Sequence, residues 1–538
     1  MNIQQFPVSP ADPALGDMQG NILKGHGRDF TFNLFLSFKA GQQEAVRTWI
    51  ANFSSVFVTT ARKQLDETKK FHEQGIPGGI FASFYLSAAG YTYLGVPAAK
   101  TPTDAQFTHG MQASGLALRD PLPTTWNAGL NGANGTIHAL VLIADDDVHL
   151  ARGLARAVKL SLADKATVVA TERGVVLRNA QGDGIEHNNY VDGVSQPVFF
   201  QEELPADVTQ WNPSAAPSLM LVPDPGGKDG SSLGSYFVFR KLEQNVRGFK
   251  ANEKAVAQAV LAPGANPELA GAMLVGRFEG GTPVLLNSTD QNPGPSHQQN
   301  NFTYAAAGSE LKCPFHAHIR KAMPRTDAGG VNFNKSKRLV RRGIPFEDKP
   351  RIRNAEGQLS DEPNDLPTGG VGLLFMCYVA NIANQFEFVQ QSWENSSGFS
   401  QPGTGKDPIV GQPAVGPAGT SYQWPTDWGS ATKKAAPFGD FVTMRGGEYF
   451  FAPSISMLQS LRPARGIVLK QPNVPGIPAT VNPGDPVQLH PVIADVLPLF
   501  PLPFPFPLVR LDPVLQLFVP DAADLGAGVV HAGNAATA

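Results

Sequence analysis

The sequence predicts an α+β fold built from two tandem ferredoxin-like modules. One order of elements, strand–helix–strand–strand–helix–strand, can be read twice along the chain. Each reading combines strands of period-two apolar residues with segments whose apolar residues follow helical spacing. The halves share this order without a visible sequence repeat.

In the first half, Phe30, Phe32, Leu34, Leu36 and Phe38 alternate with their neighbours and predict a half-buried strand over 30–38. Residues 42–56 have helical spacing through Ala45, Trp49 and Phe53, 80–86 reads as a strand, and 91–95 as a short turn. A strand is expected over 136–143. Asp145, Asp146 and Asp147 then supply carboxylates where a helix N-terminus favours them, ahead of a helix over 148–162 and a β-branched strand over 167–177. In the second half, strands are expected over 235–241, 338–344, 371–381 and 441–451, with helices over 244–261 and 384–393.

This reading divides the chain into an N-terminal module over 1–190, a second module over 191–465 and a Pro-rich extension over 466–538. Insertions near 285–301, rich in Asn, Gln, Ser and Pro, and near 398–434, rich in Gly and Pro, read as surface loops. Such loops are either functional or simply tolerated. The apolar tract over 487–519 is broken by seven prolines and by Asp495, Arg510 and Asp512. A membrane helix needs about 20 uninterrupted apolar residues, so an extended segment packed on the protein is expected. The first 19 residues are polar and proline-broken, without a basic head and apolar run, so no secretory signal is expected.

With 538 residues, 42% of them hydrophobic, the chain has ample material for a large core. A net charge of −3 excludes the basic field expected of a nucleic-acid binder and the polybasic run of a membrane-surface protein. The two cysteines, Cys313 and Cys377, read as small buried apolar residues rather than a disulfide framework.

Three clusters carry the chemistry. In the turn over 186–197, Asp192 precedes Gly193 and Ser195-Gln196-Pro197, and either caps the turn or acts from it. In the basic segment over 312–321, His316 and His318 share a side on a strand and diverge on a helix, with imidazole a common metal ligand. No HExxH or CxxC partner supports a zinc site. In the apolar stretch over 338–346, Arg341 and Arg342 would point to opposite faces, and a buried guanidinium requires an anionic partner. Asp192, a bound anion or an ordinary interface ion pair would each serve.

These clusters occur in order between Asp17-Met18-Gln19-Gly20-Asn21-Ile22-Leu23-Lys24 and Arg445-Gly446-Gly447-Glu448-Tyr449-Phe450-Phe451, with Tyr236-Phe237-Val238-Phe239-Arg240-Lys241 between them. Together they resemble the dye-decolorizing peroxidase family, in the pattern of its long, fungal-type members. The family's distal Gly-x-x-Asp-Gly falls on Asn189-Tyr190-Val191-Asp192-Gly193, with Asn in place of the first Gly. Asparagine tolerates a left-handed backbone better than most residues. The family's His-x-Arg-Lys setting selects His318 over His316 as the iron ligand, and the first Arg before Gly-Ile-Pro selects Arg341. An acid from the Gln-Phe-Glu helix stands behind the proximal histidine in the family, which falls here on Glu387. Many members carry Tyr after Ile-Pro, where this chain has Phe346, so a route for electrons through that position is not expected. Trp393 is a substitute route or an ordinary packed aromatic.

The resemblance implies modules of the dimeric α/β-barrel type with haem b in the C-terminal one, and a homodimer is a common state among members. It implies reduction of hydrogen peroxide via a ferryl intermediate and oxidation of dyes, phenolics and other organic donors. Asp192 would be the acid–base group, and Arg341 the charge stabiliser at the haem. Aspartate carboxyls ordinarily titrate near 4, which implies activity favoured by acid. Three rival readings remain: a haem-handling protein with little turnover, a haem enzyme that inserts oxygen or cleaves alkenes, and a non-haem metalloprotein using His316 and His318.

Overall fold

The computed structural model describes residues 1–228, 230–291, 299–355, 357–412 and 420–462, and Met1–Arg462 form one compact unit. Eight strands make up the main path of one antiparallel sheet. In chain order they are β1 (Phe30–Phe38), β2 (Phe81–Leu86), β3 (Ala139–Asp145), β4 (Ala166–Val175), β5 (Leu233–Gln244), β6 (Ile344–Glu347), β7 (Val371–Val379) and β8 (Val442–Ala452). Their spatial order is β6-β7-β5-β8-β2-β3-β1-β4. Each half thus repeats the order second–third–first–fourth, which is the ferredoxin-like arrangement. The expected fold class is present, with crossing helices α1 (Gln43–Val56), α2 (Val148–Ser161) and α3 (Val246–Val260).

The halves meet at a narrow seam: β8 and β2 pair only at Phe451 and Leu86. At the other end β4 and β6 lie against each other without pairing. A Cβ built on Gly174 in β4 would come within 2.5 Å of Ile344 Cγ2 in β6. The sheet therefore curls into a barrel with two apolar faces. Phe35, Tyr85, Leu142, Phe237, Phe239, Met376, Tyr378 and Phe450 fill its interior. Phe32, Leu34, Phe84, Val141, Val238 and Tyr449 point outward under the helices. Inside, Tyr85 stacks on Phe237 at 4.4 Å and shares a 2.7 Å hydrogen bond with the Tyr378 hydroxyl. Each large side chain so buried contributes roughly 1.5–3 kcal/mol.

The second face corrects one expectation. Strand β1 is buried on both sides, including Thr31 and Asn33, because the barrel interior covers the face that alternation assigned to solvent. Helix α2 begins where the aspartate run ends, with Asp147 Oδ1 accepting from the backbone N of His149. The expected strand over 338–344 is two short pieces, Val340–Arg341 and β6. Residues read as a turn after 86 form the helix Ala88–Tyr93, capped by Ser87. The helix Ala61–Gln74, absent from the sequence reading, is strongly polar and carries no clear apolar stripe; Thr60 caps it and Gly75 ends it at φ 68°.

The stretch read as a loop over 398–434 contains the strand Thr420–Pro425, paired with Lys433–Phe438. The expected packing of 487–519 lies outside the described residues, and none of the described helices is long and apolar enough to cross a membrane. Cys313 and Cys377 are buried and free.

Two tests follow from the packing. Gly174→Val should lower the unfolding free energy by about 1–3 kcal/mol through overpacking at the β4–β6 contact, measured by chemical denaturation. His26 and His187 are held down to about 3, chiefly by burial and then by neighbouring arginines. An unfolded histidine takes up a proton near 6.5. Both therefore contribute stability that is present above pH 6.5 and lost as pH falls toward 3. Denaturation midpoints should drop over that window, less steeply in His187→Gln.

Candidate active site

A cavity of about 270 Å³ lies against the second half of the sheet. Leu242, Phe375, Phe386, Val389, Ile319 and Ile409 give it apolar walls. Asp192, His318 and Arg341 all face into it, so the structure brings three of the four expected site residues together.

His318 opens the five-residue helix His318–Ala322. Its Nδ1 donates to Asp407 Oδ2 at 2.9 Å. Asp407 is fully buried, and its Oδ1 accepts from the backbone N of Ile409 and Val410 at 2.8 and 3.0 Å. Burial opposes charge on both partners. Asp407's charge and hydrogen bond nevertheless raise the imidazole above its ordinary value, and His318 with the two backbone donors keeps Asp407 below the usual carboxylate range. The bond ties up Nδ1 and leaves Nε2 as the ring's ligating nitrogen.

The two basic residues after His318 hold this geometry. Arg320 clamps Asp327 with Nε at 2.7 Å and Nη2 at 3.0 Å. Lys321 Nζ donates to the carbonyls of Ser396, Phe399 and Gly405 at 2.6–2.8 Å, fastening the segment that leads into Asp407. His316 faces away, packed against Tyr422 and Trp424 with ring centroids 4.8 and 4.7 Å apart, so the two histidines do not form a shared ligand pair.

Glu387 is not behind His318. Its carboxylate accepts from Gln106 Nε2 at 2.7 Å and from the Tyr449 hydroxyl at 2.8 Å. The helix that carries it also differs from the expectation. Residues expected to be α-helical over 384–393 are π-helical, in two pieces Ala383–Glu387 and Val389–Glu394, with Glu387 N donating to Ile382 O. The wider turn changes which side chains share a face. It brings Glu394, not Glu387, to the cavity, where burial and then the charge of Asp407 push its carboxyl up to about 7.

On the opposite wall, Arg341 Nη1 lies 3.2 Å from Asp192 Oδ1, which also accepts from Gly193 N at 2.6 Å. Arg341 is further held by its Nη2 on Ser195 O and by Gln196 Oε1 on its backbone N, each at 3.1 Å. Arg342 takes the other face, as strand alternation requires, and donates to the carbonyls of Asn21, Ile22 and Arg341. Asn189 adopts φ 71°, so the left-handed turn survives the loss of glycine, and its Nδ2 donates to Asp361 Oδ1 at 2.6 Å. Glu186 braces the same turn by accepting from the backbone N of Asn188 and Tyr190.

Phe346 is fully buried beneath Lys241, whose Nζ lies 4.6 Å from the ring centre. Trp393 is buried and stacks on Phe399 at 5.3 Å.

This donor set fits an iron porphyrin. One imidazole nitrogen is left for a metal, apolar walls suit a macrocycle, and two buried arginines, Arg277 and Arg325, line the same cavity with the half-buried Arg338, none of them paired with a carboxylate among the described residues. A buried cation of this kind favours an anionic ligand group.

The family described as Dyp-type peroxidase, C-terminal, matches residues 208–402. The multifunctional dye peroxidase DyP2 of an Amycolatopsis species is 41% identical over 83% of this chain and 96% of its own. This chain belongs to the Dyp-type peroxidase family. The dye-decolorizing peroxidase msp1 of Mycetinis scorodonius is 28% identical over 84% of this chain and 88% of its own. Among solved structures, the Dyp-type peroxidase of an Anabaena species superposes with a TM-score of 0.78 at 39% identity, covering 86% of this chain and 99% of that one. DyP2 gives 0.76 at 39% identity, covering 85% and 98%. As a family member the chain is an oxidoreductase that uses peroxide.

Asp407→Asn tests the proximal arrangement. In haem-reconstituted protein it should lower the iron–histidine stretching frequency and slow the reaction with peroxide roughly 10–100-fold. Glu387→Gln should leave both unchanged, as measured by resonance Raman and stopped-flow absorption.

Proposed function

We propose that the cavity takes haem b, and that the chain uses hydrogen peroxide to oxidise dyes, phenolics and other organic donors. The observation that carries this reading is the placing of an Asp407-anchored histidine and an Asp192–Arg341 pair on one apolar cavity. Bound haem would supply the iron centre at which the O–O bond breaks and from which organic donors are oxidised.

The protein's own groups divide the remaining work. His318 would hold the metal through Nε2, with its basicity raised by Asp407. Asp192 Oδ1 is engaged by Arg341 and Gly193, which leaves Oδ2 to take a proton from one peroxide oxygen and return it to the other, so that the latter departs as water. Arg341 would balance charge on the peroxide while orienting Asp192 through the contact between them. The apolar walls would exclude bulk water from the exchange.

Absorption spectra before and after one equivalent of hydrogen peroxide provide the test. His318→Ala should lose the high-spin ferric spectrum. Asp192→Asn should bind haem normally but slow the peroxide-driven spectral change by roughly 10²–10⁴. Normal haem binding with no response to peroxide in the wild type would overturn the catalytic reading, and no haem binding would overturn the cofactor reading as well.

A further inference from the structure

At one end of the cavity, Arg277, Arg325 and Tyr304 form a wall of donors without an acid. Each is at most 4% exposed, and all three line the cavity. Arg277 donates to Gly281 O at 2.8 Å, Gln299 O at 3.3 Å and Asn300 Oδ1 at 2.6 Å. Arg325 donates through Nη1 to the carbonyls of Asn300 and Phe302, and through Nη2 to Asn300 Oδ1 at 3.5 Å. Its guanidinium lies 3.8 Å from the Phe302 ring centre and 4.7 Å from that of Trp211. Neutral partners position both cations without neutralising either. Burial accordingly lowers Arg277 to about 10 and Arg325 to about 9.

Tyr304 adds an independent sign. Its hydroxyl is buried and makes no hydrogen bond among the described residues. An unpaired phenol beside two uncompensated guanidiniums is unfavourable as it stands. One carboxylate would satisfy all three groups, since it accepts several hydrogen bonds and carries the missing charge. Asn300 also donates through Nδ2 to Val194 O, just after Asp192 and Gly193. The wall is therefore joined to the turn that carries Asp192.

The geometry points to a carboxylate socket in which Tyr304, with Arg277 and Arg325, receives one propionate of the haem. This rests on the haem reading above and assigns Tyr304 as a binding residue that sets how the macrocycle is seated. No covalent step is involved.

The test measures the release of haem from the full-length holoprotein to an excess of apoglobin, for wild type and Tyr304→Phe, each loaded either with haem or with haem dimethyl ester. The wild type should hold haem longer than the ester. Tyr304→Phe should release haem about tenfold faster or more, as loss of a hydrogen bond to a charged group implies, while releasing the ester at the wild-type rate. Thermal unfolding of the Tyr304→Phe apoprotein should not fall below that of the wild type, since the tyrosine hydroxyl has no partner among the described residues to lose. Equal haem release by the two proteins, or equal acceleration with haem and ester, would overturn the socket. So would unchanged haem release together with weakened binding of added benzoate, which would make the wall a site for free carboxylates. Failure of both proteins to bind any haem would instead overturn the cofactor reading.

Discussion

The hydrogen bond between His318 and Asp407 joins segments separated by 89 residues in sequence. One is a helix of a single turn; the other is an irregular stretch that sequence composition assigns to an insertion. Neither could keep a side chain still alone. The bond is buried, the acid is pinned by two backbone donors, and the stretch before it is pinned by Lys321. Lys321 stands three residues after the histidine, on the same short helix. The ligand and the anchor of its own partner are thus supplied by one helical turn, which accounts for the basic residues following the histidine.

The opposite wall depends on strand geometry instead. Arg341 and Arg342 are adjacent in a piece that pairs with β7, so one looks into the cavity and the other toward the N-terminal segment. The first is charge-paired with Asp192, whereas the second donates to carbonyl groups. The same alternation in β7 sends Phe375 to the cavity and Met376 into the barrel. The barrel is the rigid body against which the Asp192 turn is braced, and Glu186, Asn189 and Gln196 complete the bracing.

Much of this was legible in the residues. Period-two apolar runs located the long strands, and β1 agrees to the residue. The order of motifs led to His318, Asp192 and Arg341, which the fold brings to one cavity. Four kinds of information were not visible in local composition. The burial of both faces of β1 follows from barrel closure, and pairing preferences within a single strand do not report it. The wide turns over 383–394 leave no composition signal, and the acid on His318 lies outside the helix from which the family pattern pointed to Glu387. Asp407 stands before Pro408 in a Gly/Pro-rich stretch, where an aspartate usually serves only a turn. It does serve one, through Ile409 and Val410, and its second oxygen does the rest. Arg277, Arg325 and Tyr304 are scattered among loops, and only their common lack of an acid marks them as a set.

The seam between the halves bears on how the molecule assembles. Within each half the strands are zipped along nearly their whole length, whereas β8 and β2 share one paired position. Each ladder joins strands from one half of the chain and so closes shorter loops than the union of the halves does. The interior aromatics, contributed by both halves, become dry only when that union occurs. Folding by this logic is two local condensations followed by a docking step driven by side chains more than by backbone pairing. The same weakness gives the barrel a natural line along which it breathes: amides flanking Phe451 and Leu86 exchange with solvent before those at the centre of either ladder.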